Sequence, residues 1–222
     1  MRRSYGVDVL GTISEKLTSL GSFTAMAKEL VQNADDEKSP YISFNFCDEG
    51  LYVSNASIFT EKDFERIVNI AARGKEEESE KTGAFGIGFV SVFQITDHPV
   101  LQSSGKKLEF FPEDKEFDES ASSISDHTEF FLPWALDTNS KVRQGLRRSE
   151  ITREEIKNAK NELIEAIPNI LLFLRDLRKI EVYFNGILES NFERIDKNSP
   201  YREIIKTNSS CLLYTSPSPR DR

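Results

Sequence analysis

Apolar residues recur at helical spacing between Ser22 and Asp36, where Met26, Ala27, Leu30, Val31 and Ala34 form one stripe that Pro40 closes. Strict alternation follows. In YISFNFC (41–47), Ile42, Phe44 and Phe46 interleave with Ser43 and Asn45, the period of a half-buried strand. Asp48-Glu49-Gly50 supplies a turn and Leu51-Tyr52-Val53 begins a second strand, so a hairpin is expected. Thr60 opens T-E-K-D, a capping-box-like start, and Phe64, Ile67, Val68 and Ala71 continue it as an amphipathic helix as far as Ala72.

RGKEEESEKT (73–82) carries dense charge and no apolar anchor, which predicts a solvated loop. GAFGIGFVSVFQITDHP (83–99) then leads from glycines into an apolar helical run that Pro99 ends. Strands are expected at Lys107–Phe111, Thr128–Leu132 and Ile180–Phe184, the last followed by Asn185-Gly186, a strong two-residue hairpin turn. Thr152 starts TREE and a long helix with Ile156, Ala159, Leu163, Ile164 and Ile167, which Pro168 is expected to interrupt. SSCLLYTSPSPRDR (209–222) keeps no period and resembles a translated cloning or adapter tail. It is set aside, leaving 1–208 as one expected domain of a larger protein.

With 222 residues, 38% of them hydrophobic, the chain is long enough to bury a core, and no apolar run reaches bilayer length. Lys and Arg number 29 against 37 Asp and Glu, a net charge of −8 that disfavours sequence-blind adhesion to nucleic acid or anionic lipid. Any phosphate must therefore be met locally. Two cysteines, Cys47 and Cys211, make neither a disulfide framework nor a zinc set, and no apolar stretch follows the basic N-terminus. A reducing, cytoplasmic setting is expected.

Glu29, Asn33 and Asp36 fall at i, i+4 and i+7, so a helix places them in a polar stripe beside the apolar one. A carboxylate there can orient and deprotonate water, and an amide oxygen can ligate Mg²⁺, which prefers oxygen donors. Taken alone, the stripe more readily describes a solvated helix face, since acidic residues are mostly exposed. Gly83, Gly86 and Gly88 form G-x-x-G-x-G ahead of an apolar run, a spacing that leaves backbone N–H groups open to phosphate oxygens. It matches neither the dinucleotide fingerprint nor the P-loop. Lys75 and Lys81 flank the acidic segment, and Lys81 is the first candidate to reach a triphosphate.

Together these motifs resemble the GHKL or Bergerat-fold ATPases, which include heat-shock chaperones, MutL-type mismatch-repair proteins, type II topoisomerase ATPase subunits and sacsin. The resemblance covers most of residues 5–195. ELVQNADD (29–36) is similar to the family's helix motif, which implies Glu29 as hydrolytic base, Asn33 as Mg²⁺ ligand and Asp36 as the motif's Asp. TGAFGIGFVSVFQITD (82–97) resembles the glycine motif that closes over the triphosphate, implying contacts from Gly83, Phe85, Gly86, Ile87, Gly88 and Phe89. HTEFFLPW (127–134) resembles the strand whose Thr, here Thr128, reaches the adenine side.

One motif departs from the pattern. Where the family carries D-x-G-x-G, with an Asp that accepts from the adenine amino group, this chain has VSNASIF (53–59), and Ser54 or Asn55 takes the Asp place. The resemblance implies an α/β (α+β) two-layer sandwich with a mixed, mostly antiparallel sheet and helices on one face. It further implies ATP and Mg²⁺ as ligands, slow hydrolysis that drives lid or domain movement, and a protein client or partner domains, as in sacsin-like or chaperone-like proteins. The alternatives are a nucleotide-binding scaffold without turnover and a histidine kinase catalytic domain, whose members generally lack the Glu that this chain keeps.

Overall fold

The computed structural model describes residues 2–4, 9–72, 85–196, 201–207 and 214–217. A short strand β1 (Arg2–Ser4) precedes helices α1 (Val9–Leu20) and α2 (Phe23–Asp36). Ser22 sets the start of α2, because its side chain accepts from the Ala25 N–H at 3.3 Å and satisfies one orphan donor of the first turn. The expected hairpin is β2 (Tyr41–Phe46) and β3 (Gly50–Asn55), followed by α3 (Glu61–Ala72). Next come α4 (Phe85–Val90), a 3₁₀ turn at Ser91–Gln94, then β4 (Val100–Ser103), β5 (Lys106–Phe111), β6 (Glu116–Ala121) and β7 (Thr128–Pro133). The order ends with α5 (Lys141–Leu146), α6 (Arg153–Phe173), β8 (Lys179–Phe184), β9 (Ile187–Asp196), β10 (Tyr201–Thr207) and β11 (Tyr214–Pro217).

All described strands join one sheet in the order β1-β6-β5-β4-β7-β3-β2-β8-β9-β10-β11, and every pair is antiparallel except β2 with β8. Alternation sorts the faces. Ile42, Phe44 and Phe46 of β2 and Phe130 and Leu132 of β7 are buried on one side, while their neighbours in sequence are partly exposed. The helices lie on the buried side, where Met26, Leu30, Val31, Leu163 and Ile167 meet the strand residues in one core. The fold is therefore the expected α+β two-layer arrangement. Among the described residues no helix is long and apolar enough to cross a membrane. Asn185 and Gly186 take φ of 48° and 76°, the two left-handed positions that a type I′ turn between β8 and β9 requires.

Pro168 does not interrupt the long helix as expected. It lies inside the 21-residue α6, and its lost N–H is offset by burial of Leu163, Ile167, Pro168 and Leu171 against the sheet. The helix ends instead where two arginines take its carbonyls. Arg194 donates to Leu174 O at 2.5 Å and Arg175 O at 2.9 Å, and Arg202 to Leu172 O at 2.5 Å and Leu174 O at 2.9 Å. The Arg194 side chain is fully buried, with Asp196 Oδ1 3.0 Å from Nε. Arg194→Met is expected to cost about 3 kcal/mol, because it strands buried carbonyls and an acidic partner together; urea unfolding reads this directly. Within the segment set aside above, Tyr214–Pro217 pairs with β10 as an edge strand, a pairing made by backbone groups and so tolerant of sequence.

Candidate functional site

The apolar stripe of α2 turns Asn33 inward. The residue is 8% exposed, and its Oδ1 is a buried oxygen with no hydrogen-bond partner among the described residues. Such an atom is costly unless something else satisfies it. Directly against it lies Gly88 of α4: a Cβ at that position would sit 2.4 Å from Asn33 Nδ2. The helix motif and the glycine motif thus meet. Gly88→Ala is expected to push the short Asn33 side chain aside, costing about 1 kcal/mol of stability, which a thermal melt reads.

Glu29, one turn before Asn33 on the same helix, is partly exposed and has no hydrogen-bond or ion-pair partner among the described residues. Asp36 is exposed and accepts from Gln32 Nε2 at 3.2 Å, apart from the Asn33–Gly88 contact. Its neighbour Asp35, which the sequence reading passed over, is buried. Asp35 Oδ1 accepts the N–H groups of Arg175, Asp176 and Leu177 at 3.0, 2.7 and 2.8 Å, and Oδ2 accepts Arg175 N–H at 2.9 Å. This ties the end of α2 to the loop after α6. The signal was present in sequence, since Asp35 falls four residues after the buried Val31 on the apolar stripe.

Beside Asn33, a cavity of about 10 Å³ lies between α2, the sheet and α4, lined among others by Asn55, Ser57, Phe59, Phe89 and Phe130. That is room for at most one water. The pleat separates the two candidates for the missing carboxylate: Val53 and Asn55 face the helices, while Ser54 points to the opposite side of the sheet. Asn55 Oδ1 accepts from the Ser57 N–H at 2.9 Å and also from the Ser57 hydroxyl. Thr128 is fully buried, with Oγ1 donating to Ser57 O at 2.8 Å and lying 2.9 Å from Ser103 Oγ. Ser57 is therefore the hub of this corner, and nothing in its local sequence marked it.

Phe89 is buried with its ring against Phe110 and Phe130. The backbones of Phe85, Gly86 and Ile87 lie in α4, and Lys75, Lys81 and Gly83 lie outside the described residues. The far end of this segment is held by buried Arg143, which pairs with Asp97 and donates to Phe93 O at 2.6 Å, Thr96 O at 2.7 Å and Gln94 O at 3.2 Å. Burial pushes the Arg143 pKa down, and the Asp97 carboxylate opposes that shift. No group of three or more His, Cys, Asp or Glu among the described residues could hold a metal. A divalent ion here would depend on Asn33 and on oxygens of water and phosphate, a donor set that suits Mg²⁺.

Residues 44–131 match the Sacsin domain family model. The matched stretch contains Asn55, Gly88 and Thr128 and begins after Glu29 and Asn33. Human sacsin is 28% identical over 218 residues, covering 77% of this chain and 5% of that protein. Protein NO VEIN of Arabidopsis thaliana is 26% identical over 215 residues, covering 89% of this chain and 8% of that protein. The chain thus spans only a small part of the curated relatives it matches. Among solved structures, the N-terminal domain of a DNA repair protein superposes with a TM-score of 0.54 at 15% identity, over 87% of this chain and 69% of that one, which shows a shared fold. The Aquifex aeolicus MutL ATPase domain complexed with ADP gives a TM-score of 0.48 at 14% identity, over 84% of this chain and 77% of that one.

Proposed function

We propose that this chain is a Mg²⁺-dependent ATP-binding domain with slow hydrolysis, whose closing segment passes movement to neighbouring domains of a sacsin-like or chaperone-like protein. The observation that carries the reading is the buried Asn33, whose amide packs against Gly88 and whose Oδ1 has no partner among the described residues, one helical turn from a partly exposed carboxylate at Glu29. Bound Mg²⁺ would screen the phosphate charges. Asn33 offers it one ligand oxygen, Gly88 leaves room for the Asn33 side chain by lacking a Cβ, and Glu29 orients a water and holds its proton. Asp36 stays outside this machinery, and Asn55 rather than Ser54 meets the base. Client binding belongs to the longer protein, and free Cys47 fits a reducing, cytoplasmic setting.

The test is calorimetric titration of the full chain with Mg-ATP, together with phosphate release. Heat of binding with slow release supports the reading, and a folded chain that gives no heat at millimolar nucleotide overturns it. A second reading, a nucleotide-binding scaffold without turnover, is favoured by one observation: the base corner holds an amide at Asn55 in place of a carboxylate. Binding without any phosphate release selects it.

A further inference from the structure

We infer that Arg143 is a positioning residue for the nucleotide site, holding the glycine segment against Asn33 ahead of binding, an inference that rests on the nucleotide reading above. α4 has six residues and the 3₁₀ turn after it four. Helices that short are marginal by themselves in water, so their place has to be set by what holds them.

Arg143 holds them from the downstream side. Its guanidinium donates to Phe93 O at 2.6 Å, Thr96 O at 2.7 Å and Gln94 O at 3.2 Å, so one rigid fork ends on three carbonyls in and just after the turn that continues α4. Ser91, in the same turn, donates its hydroxyl to Gly88 O, which carries the hold back to the residue that meets Asn33. The base of the fork is itself fixed. Asp97 pairs with Arg143 and accepts the Ser140 hydroxyl at 2.6 Å, and Ser140 caps α5 by accepting the Arg143 N–H at 3.1 Å. Val142 and Leu146 of α5 are buried, and Gly145 packs so closely on α1 that a Cβ there would sit 2.5 Å from Leu10 Cδ1.

Such a hold acts on population rather than on chemistry. Once it is lost the segment visits other arrangements, and apparent affinity falls by the fraction of molecules still arranged to bind. The bound complex is the same, and Glu29 stands on α2 outside this network, so turnover at saturation is kept. Lysine at 143 separates the two, because an ammonium can keep the Asp97 pair but cannot reproduce a planar fork on three carbonyls.

In the full chain, Arg143→Lys is expected to raise the Mg-ATP dissociation constant about tenfold by calorimetric titration, with phosphate release at saturating nucleotide within about threefold of native. Val182→Ala truncates the core in β8, between β2 and β9, and lowers stability without touching the network; its dissociation constant should stay within about threefold of native. An unchanged dissociation constant in Arg143→Lys, a matching loss of release at saturation, or an equal rise in Val182→Ala overturns the positioning role and leaves the nucleotide reading standing. A folded native chain that binds no Mg-ATP overturns both. If circular dichroism shows Arg143→Lys unfolded, Ser140→Ala takes its place, since it removes one bond to Asp97. A rise of about threefold or more then supports the role, and no change overturns it.

Discussion

Replacing Asp35 with alanine is expected to lower the unfolding free energy by about 4 kcal/mol, because three backbone N–H groups that now end on one carboxylate would be left without acceptors. Those of Arg175, Asp176 and Leu177 lie in the loop between α6 and β8, and Leu177 is fully buried, so water cannot replace the lost oxygen there. Bonds to an ionised acceptor are each worth more than neutral ones. Urea unfolding should show the midpoint falling with little change in slope. A loss below about 1 kcal/mol would mean that the loop relaxes to satisfy its own amides. Asp35 sits two residues after Asn33, so the same variant should also loosen the helix end that carries the site, and nucleotide affinity should fall along with stability.

Glu29→Gln is the counterpart, a loss of chemistry with the fold kept. The side chain is partly exposed and unpartnered among the described residues, so replacing it removes no structural bond and leaves nearly the same shape. A general base contributes about 10²–10⁴-fold to a rate. Phosphate release should therefore drop by about that factor, while the dissociation constant for the Mg-nucleotide stays within about threefold. Equal release by both proteins removes Glu29 from the chemistry. A parallel rise in the dissociation constant would instead place the carboxylate in binding.

Much of the arrangement was legible because two periodicities are written into the chain. The 3.6-residue stripe marked α2, strict alternation marked β2, and Asn185-Gly186 marked the turn between β8 and β9. α1 was not read from the sequence, although Val9, Ile13 and Leu17 are its buried residues at helical spacing. β6 was not legible: EFDESA has few apolar residues, and it is a strand because β5 and β1 take its backbone groups. Pro168 misled because a propensity cost inside an isolated helix is small beside the packing of a buried face.

By itself, then, the chain's order of residues determined which segments could be helix or strand and placed a Glu, an Asn and a run of glycines where a phosphate site could form. Tertiary structure alone decided between neighbours: Asn55 over Ser54 at the cavity, and Asp35 inside with Asp36 outside. Periodicity says which residues share a face, but the identity of the buried face depends on what packs against it. Here the deciding partners are distant in the chain: Gly88 for Asn33, Leu177 for Asp35, and Thr128 for the Ser57 that orients Asn55.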